Sequence, residues 1–236
     1  MDNKYKFDNH GSLVAGIYRQ NAFYIRMSDF FDLDPKFGDP IDFAVAMHAH
    51  EYVHFLHNVS TTAGIAYLLS NLILLRSMAA GCDDQGYFKG LDSMTEQDRY
   101  SLFQTTSLMR AQLGGIGKKN NECLGDSLCE WECVAPLISV QNDLPKVTAI
   151  FNKLNVDGES QCREFEIGLS FITEGVSYEV DREMRRSTRN IEQDLDAHTP
   201  FFPYLAFGVL IRSWSGRELS SEDRISIGIS ALSYSF

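Results

Sequence analysis

The sequence predicts a mainly α-helical protein of the α+β class, with a small β-hairpin or sheet at its N-terminal end. Apolar residues recur with the 3.6-residue period of amphipathic helices along most of the 236 residues. Two short β-rich runs lie close together near the N-terminus. Hydrophobic residues make up 44% of the chain and charged residues 22%, which is a globular composition. We therefore expect one domain over residues 1–236.

The two β-rich runs cover residues 13–18 and 22–27, and the polar residues 19–21 lie between them. Apolar and aromatic runs joined by a short polar turn are typical of a β-hairpin. Pro35 and Pro40 then mark a break before the first helix.

Helical periodicity predicts a series of helices after this break. They are expected at about 42–58, 62–78, 96–112, 124–138, 145–154, 164–188, 201–213 and 221–234. The glycines of the polar segment 114–121 precede Lys118. This segment is expected to be a loop but not a Walker loop, because Lys118 is not followed by Ser or Thr and no clear strand precedes the glycines.

The charge balance limits the classes of partner. The chain carries 21 basic and 32 acidic residues, a formal net charge of -11, and it has no long basic run. Nucleic acid is therefore not expected as a partner. The N-terminus lacks the apolar region of a secretory signal. The longest apolar stretch, 65–75, falls short of the ~20 residues of a spanning helix. We expect a cytoplasmic protein with no membrane partner.

The five cysteines are an odd number without a secretion signal, which favours free thiols over a disulfide framework. Cys129 and Cys133 lie one helical turn apart in a predicted helix, and Cys123 lies upstream, so a second metal site can be imagined. No CxxC pair or nearby histidine completes a tetrahedral set. Idle or buried thiols are therefore expected.

Four of the six histidines lie between positions 48 and 57, in the segment His-Ala-His-Glu-Tyr-Val-His-Phe-Leu-His. Side chains at i and i+4 of a helix are neighbours, with Cβ atoms ~5 to 6 Å apart. His50 and His54 can therefore bind one zinc ion at ~2.0 to 2.1 Å. Glu51 lies beside them, where it can take a proton from a water and act as the catalytic base.

His57 lies on the same face, yet it is not expected to be a third ligand. Three histidines at i, i+4 and i+7 span ~10 Å at ~1.5 Å per residue, which is too long for one ion. His57 is instead expected to support the ligands from behind or to face substrate.

The third ligand is expected downstream, at Glu174. On a helix it lies in line with Ile167, Phe171 and Tyr178, and a carboxylate in an apolar row is costly to bury unless it is paired or bound to metal. Glu179 is expected to be solvated. Asp196 and His198 remain alternative third ligands, because zinc also accepts O and N donors from a loop.

The motif His50-Glu51-Tyr52-Val53-His54, followed by Thr173-Glu174-Gly175-Val176-Ser177, resembles the gluzincin metallopeptidases. The resemblance implies that zinc is bound by His50, His54 and Glu174 and that Glu51 is catalytic. It also implies a zincin-like pair of active-site helices. Because His54 and Glu174 are far apart in sequence, residues 62–160 would form a large helical insertion.

Families of this kind also use a Tyr, His or Arg to stabilise the negative charge that develops on the substrate. The candidates here are Tyr178, Arg182, His198 and Tyr204, and the sequence does not choose among them.

Three functions are compatible with these residues. The first is a zinc metallopeptidase that hydrolyses peptide bonds of a polypeptide substrate. The second is a non-catalytic, zinc-stabilised protein-interaction module, and the third is a metal-free domain that binds a regulatory protein partner. Glu51 favours the peptidase, because a structural zinc site has no use for a base.

Overall fold

The structure is a computed structural model. It describes residues 16–19, 24–27, 33, 36, 44–114, 130–141, 144–154, 161–187, 196 and 199–234. The predicted loop around 115–121, the thiols of Cys123 and Cys129, and His198 lie outside the described residues.

The predicted N-terminal hairpin is confirmed. Strand β1 covers Gly16–Arg19 and strand β2 covers Tyr24–Met27. They pair antiparallel with Gly16 opposite Met27 and Arg19 opposite Tyr24. This hairpin lies against the first helix, which brings Tyr18 close to the histidines.

Three helices follow in agreement with the sequence: α1 over Ala44–Ser60, α2 over Thr62–Ala79 and α3 over Glu96–Leu113. Thr61 separates the first two, because its hydroxyl donates to the carbonyl of His57 at 2.6 Å and accepts from the amide of Gly64 at 3.1 Å. Thr95 caps α3 in the same way, accepting from the amide of Asp98.

The predicted helices at 124–138 and 145–154 are wrong where the structure describes them. Strand β3 covers Glu130–Gln141, β4 covers Leu144–Leu154 and β5 covers Gln161–Ile167. They form an antiparallel sheet in the order β3-β4-β5. The predicted insertion over 62–160 is therefore helical in its first half and β-structured in its second.

The sheet has a sequence signal that the helical interpretation overlooked. Trp131 and Cys133 are buried whereas Glu130, Glu132 and Val134 are exposed, which is the two-residue alternation of a half-buried strand. The β-branched residues further along β3 and β4 favour a strand over a helix.

The remaining helices are α4 over Leu169–Ser187, α5 over Ala206–Ser215 and α6 over Ser221–Ser233, with a short kinked turn over Phe201–Leu205 before α5. The prediction of a helix over 164–188 started too early, because β5 occupies its first residues and Gly168 separates the two elements. The prediction at 221–234 is confirmed, whereas the helix predicted from 201 begins only at Ala206, because Phe202 in the kinked turn has non-helical backbone angles.

The main core lies between the sheet and the helices α4 and α5. Aromatic rings dominate it: Phe201 stacks on Trp131 at 4.2 Å and Phe202 stacks on Phe165 at 4.3 Å between ring centroids. Because Phe171 of α4 also contacts Phe202, the core fixes α4 against the sheet. That helix carries Glu174.

Helix α2 has an unusual distribution of polarity. Its buried face carries Gly64, Ser70, Asn71 and Ser77, whereas large apolar side chains are exposed. The exposed apolar side chains of α2 are Ile65, Leu69, Leu72, Ile73, Leu75 and Met78.

By length and apolar composition α2 meets the requirement for a membrane span, with a mean hydropathy of 1.3, and 28% of it is buried. The cytoplasmic location and the lack of a membrane partner stay predictions.

The fold class is confirmed as mainly α-helical α+β, with the hairpin at the N-terminal end and a second antiparallel sheet that the sequence analysis did not expect. Helices α1 and α4 pack against each other. This pairing brings the His-Glu-x-x-His turn next to Glu174.

Candidate metal centre

The three residues predicted to bind zinc meet at the contact between α1 and α4. His50 and His54 occupy successive turns of α1 and are 6% and 9% exposed. Glu174 lies in the second turn of α4. Helix α4 approaches its neighbours closely at the next residue, Gly175, where an added Cβ would lie 2.3 Å from Cγ of Phe207. The glycine therefore sets the position of the helix that carries the carboxylate.

The ligand atoms form a nearly equilateral triangle. The Nε2 atoms of His50 and His54 are 3.3 Å apart. Oε2 of Glu174 lies 3.4 Å from Nε2 of His50 and 3.3 Å from Nε2 of His54. Among the residues that the structure describes, this is the one group of three or more His, Cys, Asp or Glu side chains whose ligand atoms converge in this way.

The size of this triangle fits a tetrahedral zinc ion. Zinc bonds to nitrogen and carboxylate oxygen are ~2.0 to 2.1 Å long, so two ligand atoms on tetrahedral corners are separated by about 3.3 to 3.4 Å. The three measured sides have this length. Three protein ligands leave one coordination position for water or substrate, as in catalytic rather than structural zinc sites.

One side of the site is open. Glu174 leaves 28% of its side chain exposed, whereas the side chains of His50 and His54 leave 7% and 10% exposed. A small molecule would therefore approach from the side of the carboxylate.

The charges of the ligands are suited to a cation. Burial alone would raise the pKa of Glu174, but the adjacent imidazoles of His54 and His50 hold it well below its usual range, so the carboxylate is ionised. Burial lowers the pKa of His54, and the carboxylate of Glu174 more than offsets this, so that pKa is raised. A buried, ionised carboxylate is thus held between two nitrogen donors.

Glu51 is buried beside this triangle, at 6% exposure. Burial raises its pKa, and the neighbouring His50 and His54 only partly offset this. The backbone amide of Tyr18 in β1 also donates to its carboxylate. A general base works best when its pKa lies near the working pH. The environment of Glu51 moves its pKa in that direction.

The second ring nitrogen of His54 faces α4. Its Nδ1 lies 3.5 Å from Oγ of the fully buried Ser177. On the other side the ring of Tyr18 lies parallel to that of His54, and the hydroxyl of Tyr18 accepts from Nδ2 of Asn58 at 3.0 Å. These contacts restrict the rotation of the His54 ring. In metal sites, hydrogen bonds to a metal-binding histidine hold its ring in the orientation that binds the metal.

Asp181 is a neighbour of the site that sequence analysis missed. It is buried, and its pKa is raised by burial, although the charges of Arg185 and His50 lower it. Its Oδ1 has no hydrogen-bond partner among the described side chains and backbone. Its position seven residues after Glu174, on the same helical face, was the available signal.

Of the candidates for stabilising negative charge that the structure describes, Tyr204 is the one that contacts the candidate ligands. Its ring centroid is 5.9 Å from that of His50. Burial raises its pKa, and the charges of Glu174 and Glu51 and a hydrogen bond to Glu174 raise it further. The hydroxyl therefore stays protonated and available as a donor.

The other candidates are used elsewhere. Tyr178 donates its hydroxyl to Oδ1 of Asp196, and Arg182 contacts Oδ2 of the same carboxylate at 2.6 Å. Asp196, the alternative third ligand, is thus paired away from the histidine nitrogens. His198 lies outside the described residues.

His57 is buried at 4% exposure, which agrees with a role behind the ligands and not with one that faces substrate. Burial lowers its pKa to about 4, and the charge of His54 lowers it too. Its Nδ1 has no hydrogen-bond partner within the described part of the chain.

The prediction that Glu179 is solvated is wrong. The residue is 1% exposed, and its Oε1 binds Arg224 of α6 at 2.8 Å and Arg182 at 3.3 Å. The prediction considered only the neighbours of Glu179 within its own helix. Arg224 lies 45 residues later, in α6. Glu179 is a buried ion-pair residue on the opposite side of α4 from the ligands.

The described cysteines give no second metal site. Cys82, Cys133 and Cys162 are free, and Cys133 lies in β3 rather than in a helix. Burial raises the pKa of the Cys133 thiol to about 11, which leaves it protonated.

No protein-family model, curated protein or solved structure matches this chain. The resemblance to gluzincins therefore stays a prediction from the motif residues.

Proposed function

We propose that this protein is a zinc-dependent metallopeptidase, with His50, His54 and Glu174 as the zinc ligands. The observation that carries the proposal is the triangle of ligand atoms, whose sides of 3.3, 3.3 and 3.4 Å match a tetrahedral ion. A further observation favours catalysis over a structural role, namely the buried carboxylate of Glu51 next to the triangle.

When bound, zinc would lower the pKa of a water ligand from 15.7 towards ~7 and polarise a peptide carbonyl. The residues of the chain would then carry the proton and the charge. Glu51 accepts the proton of the attacking water as the new C–O bond forms. It returns that proton to the peptide nitrogen as the C–N bond breaks, so the products are a carboxylic acid and an amine.

Tyr204 is proposed to donate a hydrogen bond to the oxygen that becomes negative in the transition state. Its hydroxyl is protonated at neutral pH, because burial and two carboxylates raise its pKa. In the structure this hydroxyl donates to Glu174, and it would move from that carboxylate to the substrate oxygen.

Metal content is the first test. Wild-type protein should contain about one zinc per chain by elemental analysis, and His54→Ala should lose most of it, because two ligands seldom retain a catalytic zinc. If wild-type protein reconstituted with zinc and freed of excess metal carried none, the proposal would be wrong.

The second test separates the peptidase from a zinc-stabilised interaction module. Glu51→Gln keeps the size of the side chain but removes the base, so zinc content should stay at the wild-type value. Polypeptides captured by this variant from a cell extract supply the substrate, and their cleavage should be slower by ~10²- to 10⁴-fold than with wild type. Glu183→Gln, at a half-buried carboxylate of α4 that pairs with Arg186, is the matched control. Equal cleavage by Glu51→Gln and wild type would favour the interaction module.

A further inference from the structure

The turn of α4 that follows Glu174 holds a distant part of the chain. Tyr178 donates its hydroxyl to Oδ1 of Asp196, and the hydroxyl of Thr199 lies 3.2 Å from the same tyrosine oxygen. Arg182, one turn further, contacts Oδ2 of Asp196 at 2.6 Å. The carboxylate of Asp196 is therefore bound by two side chains at once.

This contact is rigidly supported from the side of α4. Tyr178 is 4% exposed. The guanidinium of Arg182 also contacts Glu179 at 3.3 Å, and Glu179 is bound to Arg224 of α6 at 2.8 Å. Charge-assisted hydrogen bonds of this kind are shorter and stronger than neutral ones. Asp196 is thus bound to α4, and ion pairs through Glu179 join this part of α4 to α6.

The segment that Asp196 begins leads directly to Tyr204. Thr199 precedes the turn Phe201–Leu205, and the ring of Tyr204 lies 5.4 Å from the ring of Tyr178. On its other side the Tyr204 ring lies 5.9 Å from that of His50. The hydroxyl of Tyr178 therefore binds Asp196 at the start of this segment, and the ring of Tyr178 contacts Tyr204 further along it.

We propose that Tyr178, Arg182 and Asp196 form a latch that positions Tyr204 over the metal centre. The latch residues do not touch substrate, so they are positioning residues, and the inference rests on the proposed function. It assigns to Tyr178 and Arg182 a role that differs from the direct stabilisation of charge expected from the sequence.

The physical reason is the accuracy that a donor to a transition state requires. A misplacement of ~1 Å can reduce a rate by ~10²-fold, and such groups need neighbours that lock their rotamers. Tyr204 lies in the short kinked turn Phe201–Leu205 and not inside an α-helix, so its position depends on the contacts of that turn. The latch supplies the second point of attachment.

Tyr178→Phe tests the latch, because it removes the hydroxyl and keeps the ring. On the trapped polypeptide substrate, kcat should fall ~10-fold or more while KM changes by less than about 3-fold, since only the transition state is affected. Zinc content should be unchanged. Tyr67→Phe, at another buried tyrosine in α2, is the matched control and should behave as wild type. Asp196→Ala should reproduce the effect of Tyr178→Phe from the other partner.

A double variant shows whether the effect passes through Tyr204. If Tyr178 acts only by positioning Tyr204, then Tyr178→Phe combined with Tyr204→Phe should be no slower than Tyr204→Phe alone. Multiplying effects would overturn the proposal, and so would a wild-type kcat for both Tyr178→Phe and Asp196→Ala in folded, zinc-loaded protein.

A binding measurement separates this inference from the proposed peptidase. Acetohydroxamate, a small zinc-binding anion, is titrated into zinc-loaded protein. Tyr204→Phe and Tyr178→Phe should each weaken its binding by about 3- to 10-fold, the value of one hydrogen bond. Loss of affinity without any peptide cleavage would keep the latch and reject the peptidase. Unchanged affinity in Tyr178→Phe, with weaker binding by Tyr204→Phe, would reject the latch alone.

Discussion

Glu174 and Glu179 lie five residues apart on α4 and have opposite surroundings. Glu174 faces two imidazoles and an open side, whereas Glu179 is enclosed by Arg182 and Arg224. The carboxylate of Glu174 is therefore free to bind a cation, whereas the charge of Glu179 is neutralised by ion pairs. The difference follows from which helix each face of α4 meets.

Replacing each of these carboxylates should therefore have a different result. Glu174→Gln should reduce zinc retention by ~10-fold or more, because even the loss of an outer contact costs that much, with little loss of stability in metal-free protein. Glu179→Ala should lower the free energy of unfolding by about 1 to 3 kcal/mol, because it removes the buried carboxylate that Arg182 and Arg224 share, although Asp196 and Glu218 remain as their second partners. Zinc analysis of both variants measures the metal retention, and chemical denaturation of both measures the free energy of unfolding. Loss of zinc from folded Glu179→Ala would contradict the assignment.

His57 should make the metal-free protein sensitive to acid. Its pKa is about 4 in the folded chain, because of burial, and 6.5 in a model compound. The unfolded chain therefore binds a proton that the folded chain excludes, so stability is complete above pH ~6.5 and falls as the pH drops towards 4.

Between pH 7.5 and 4.5 this one group should cost about 2 to 3 kcal/mol, at 1.36 kcal/mol per pH unit. Denaturation of wild type and of His57→Leu at both pH values, with chelator present, measures the difference. The variant should lose less stability on acidification than wild type does. Equal losses would show that His57 is protonated in the folded protein.

The candidate ligands could be predicted from the sequence because a helix fixes its own side-chain neighbours. His50, His54 and Glu51 lie within a single helical segment, so spacing alone brings them together. Tyr204 could not be chosen among the four candidates in this way. Its position depends on how α4 and the turn before α5 pack, and no periodicity within one element contains that information.

At the scale of elements, the helices were predictable and the second sheet was not. Caps such as Thr61 and Thr95 and long apolar periods mark α1 to α3. In β3 the alternation is interrupted by a bulge between Val134 and Leu137, which moves the apolar residues out of register with a simple two-residue period. Pairing with β4 determines the structure there, and pairing is a non-local property.

Close contacts between helices depend on single glycines. A Cβ at Gly175 would lie 2.3 Å from Cγ of Phe207 in α5, and one at Gly228 would lie 2.2 Å from Cγ2 of Val176. Glycine inside a helix costs roughly 0.5 to 1 kcal/mol relative to alanine, so these positions are retained for packing.

Gly175→Ala should therefore destabilise the protein, even though alanine is the better helix former. Forcing a methyl group into a packed contact costs typically 1 to 3 kcal/mol, which exceeds the gain in helix propensity. Thermal or chemical denaturation measures it, with Ser187→Ala at the exposed end of α4 as the control. A more stable Gly175→Ala protein would show that α4 and α5 are further apart than the structure indicates.

For the whole molecule, the proposed metal centre would join the N-terminal half to the C-terminal half. Its ligands come from α1 and α4, which are separated by two helices and three strands. A metal that binds only the folded chain stabilises it by ~2.7 kcal/mol at 100 times its Kd.

Saturating zinc should therefore raise the Tm of wild type by about 5 to 10 °C, at roughly 2 to 4 °C per kcal/mol for a chain of this size. Scanning calorimetry with and without zinc tests this. His54→Ala should show no such rise, and Mg²⁺ should not replace zinc, because imidazole ligands favour zinc over magnesium. A rise of equal size in His54→Ala would place the bound zinc elsewhere.

The inverted polarity of α2 bears on how that helix finds its rotational orientation during folding. A hydrophobic stripe normally turns a helix towards the core, but α2 offers apolar side chains on its outer face. Tyr67, Ala63 and Leu74 of α2 do pack in an apolar cluster with α3, α4 and α6, but the rest of the buried face is small or polar, so steric fit and hydrogen bonding also select its orientation. Position 64 needs glycine, because a Cβ there would collide with the carbonyl of His57. The hydroxyl of Ser77 donates a hydrogen bond to the hydroxyl of Ser101 at 3.2 Å. Small and polar residues therefore select the rotation of α2 about its own axis. If they were enlarged, several rotations of the helix would be nearly equal in energy.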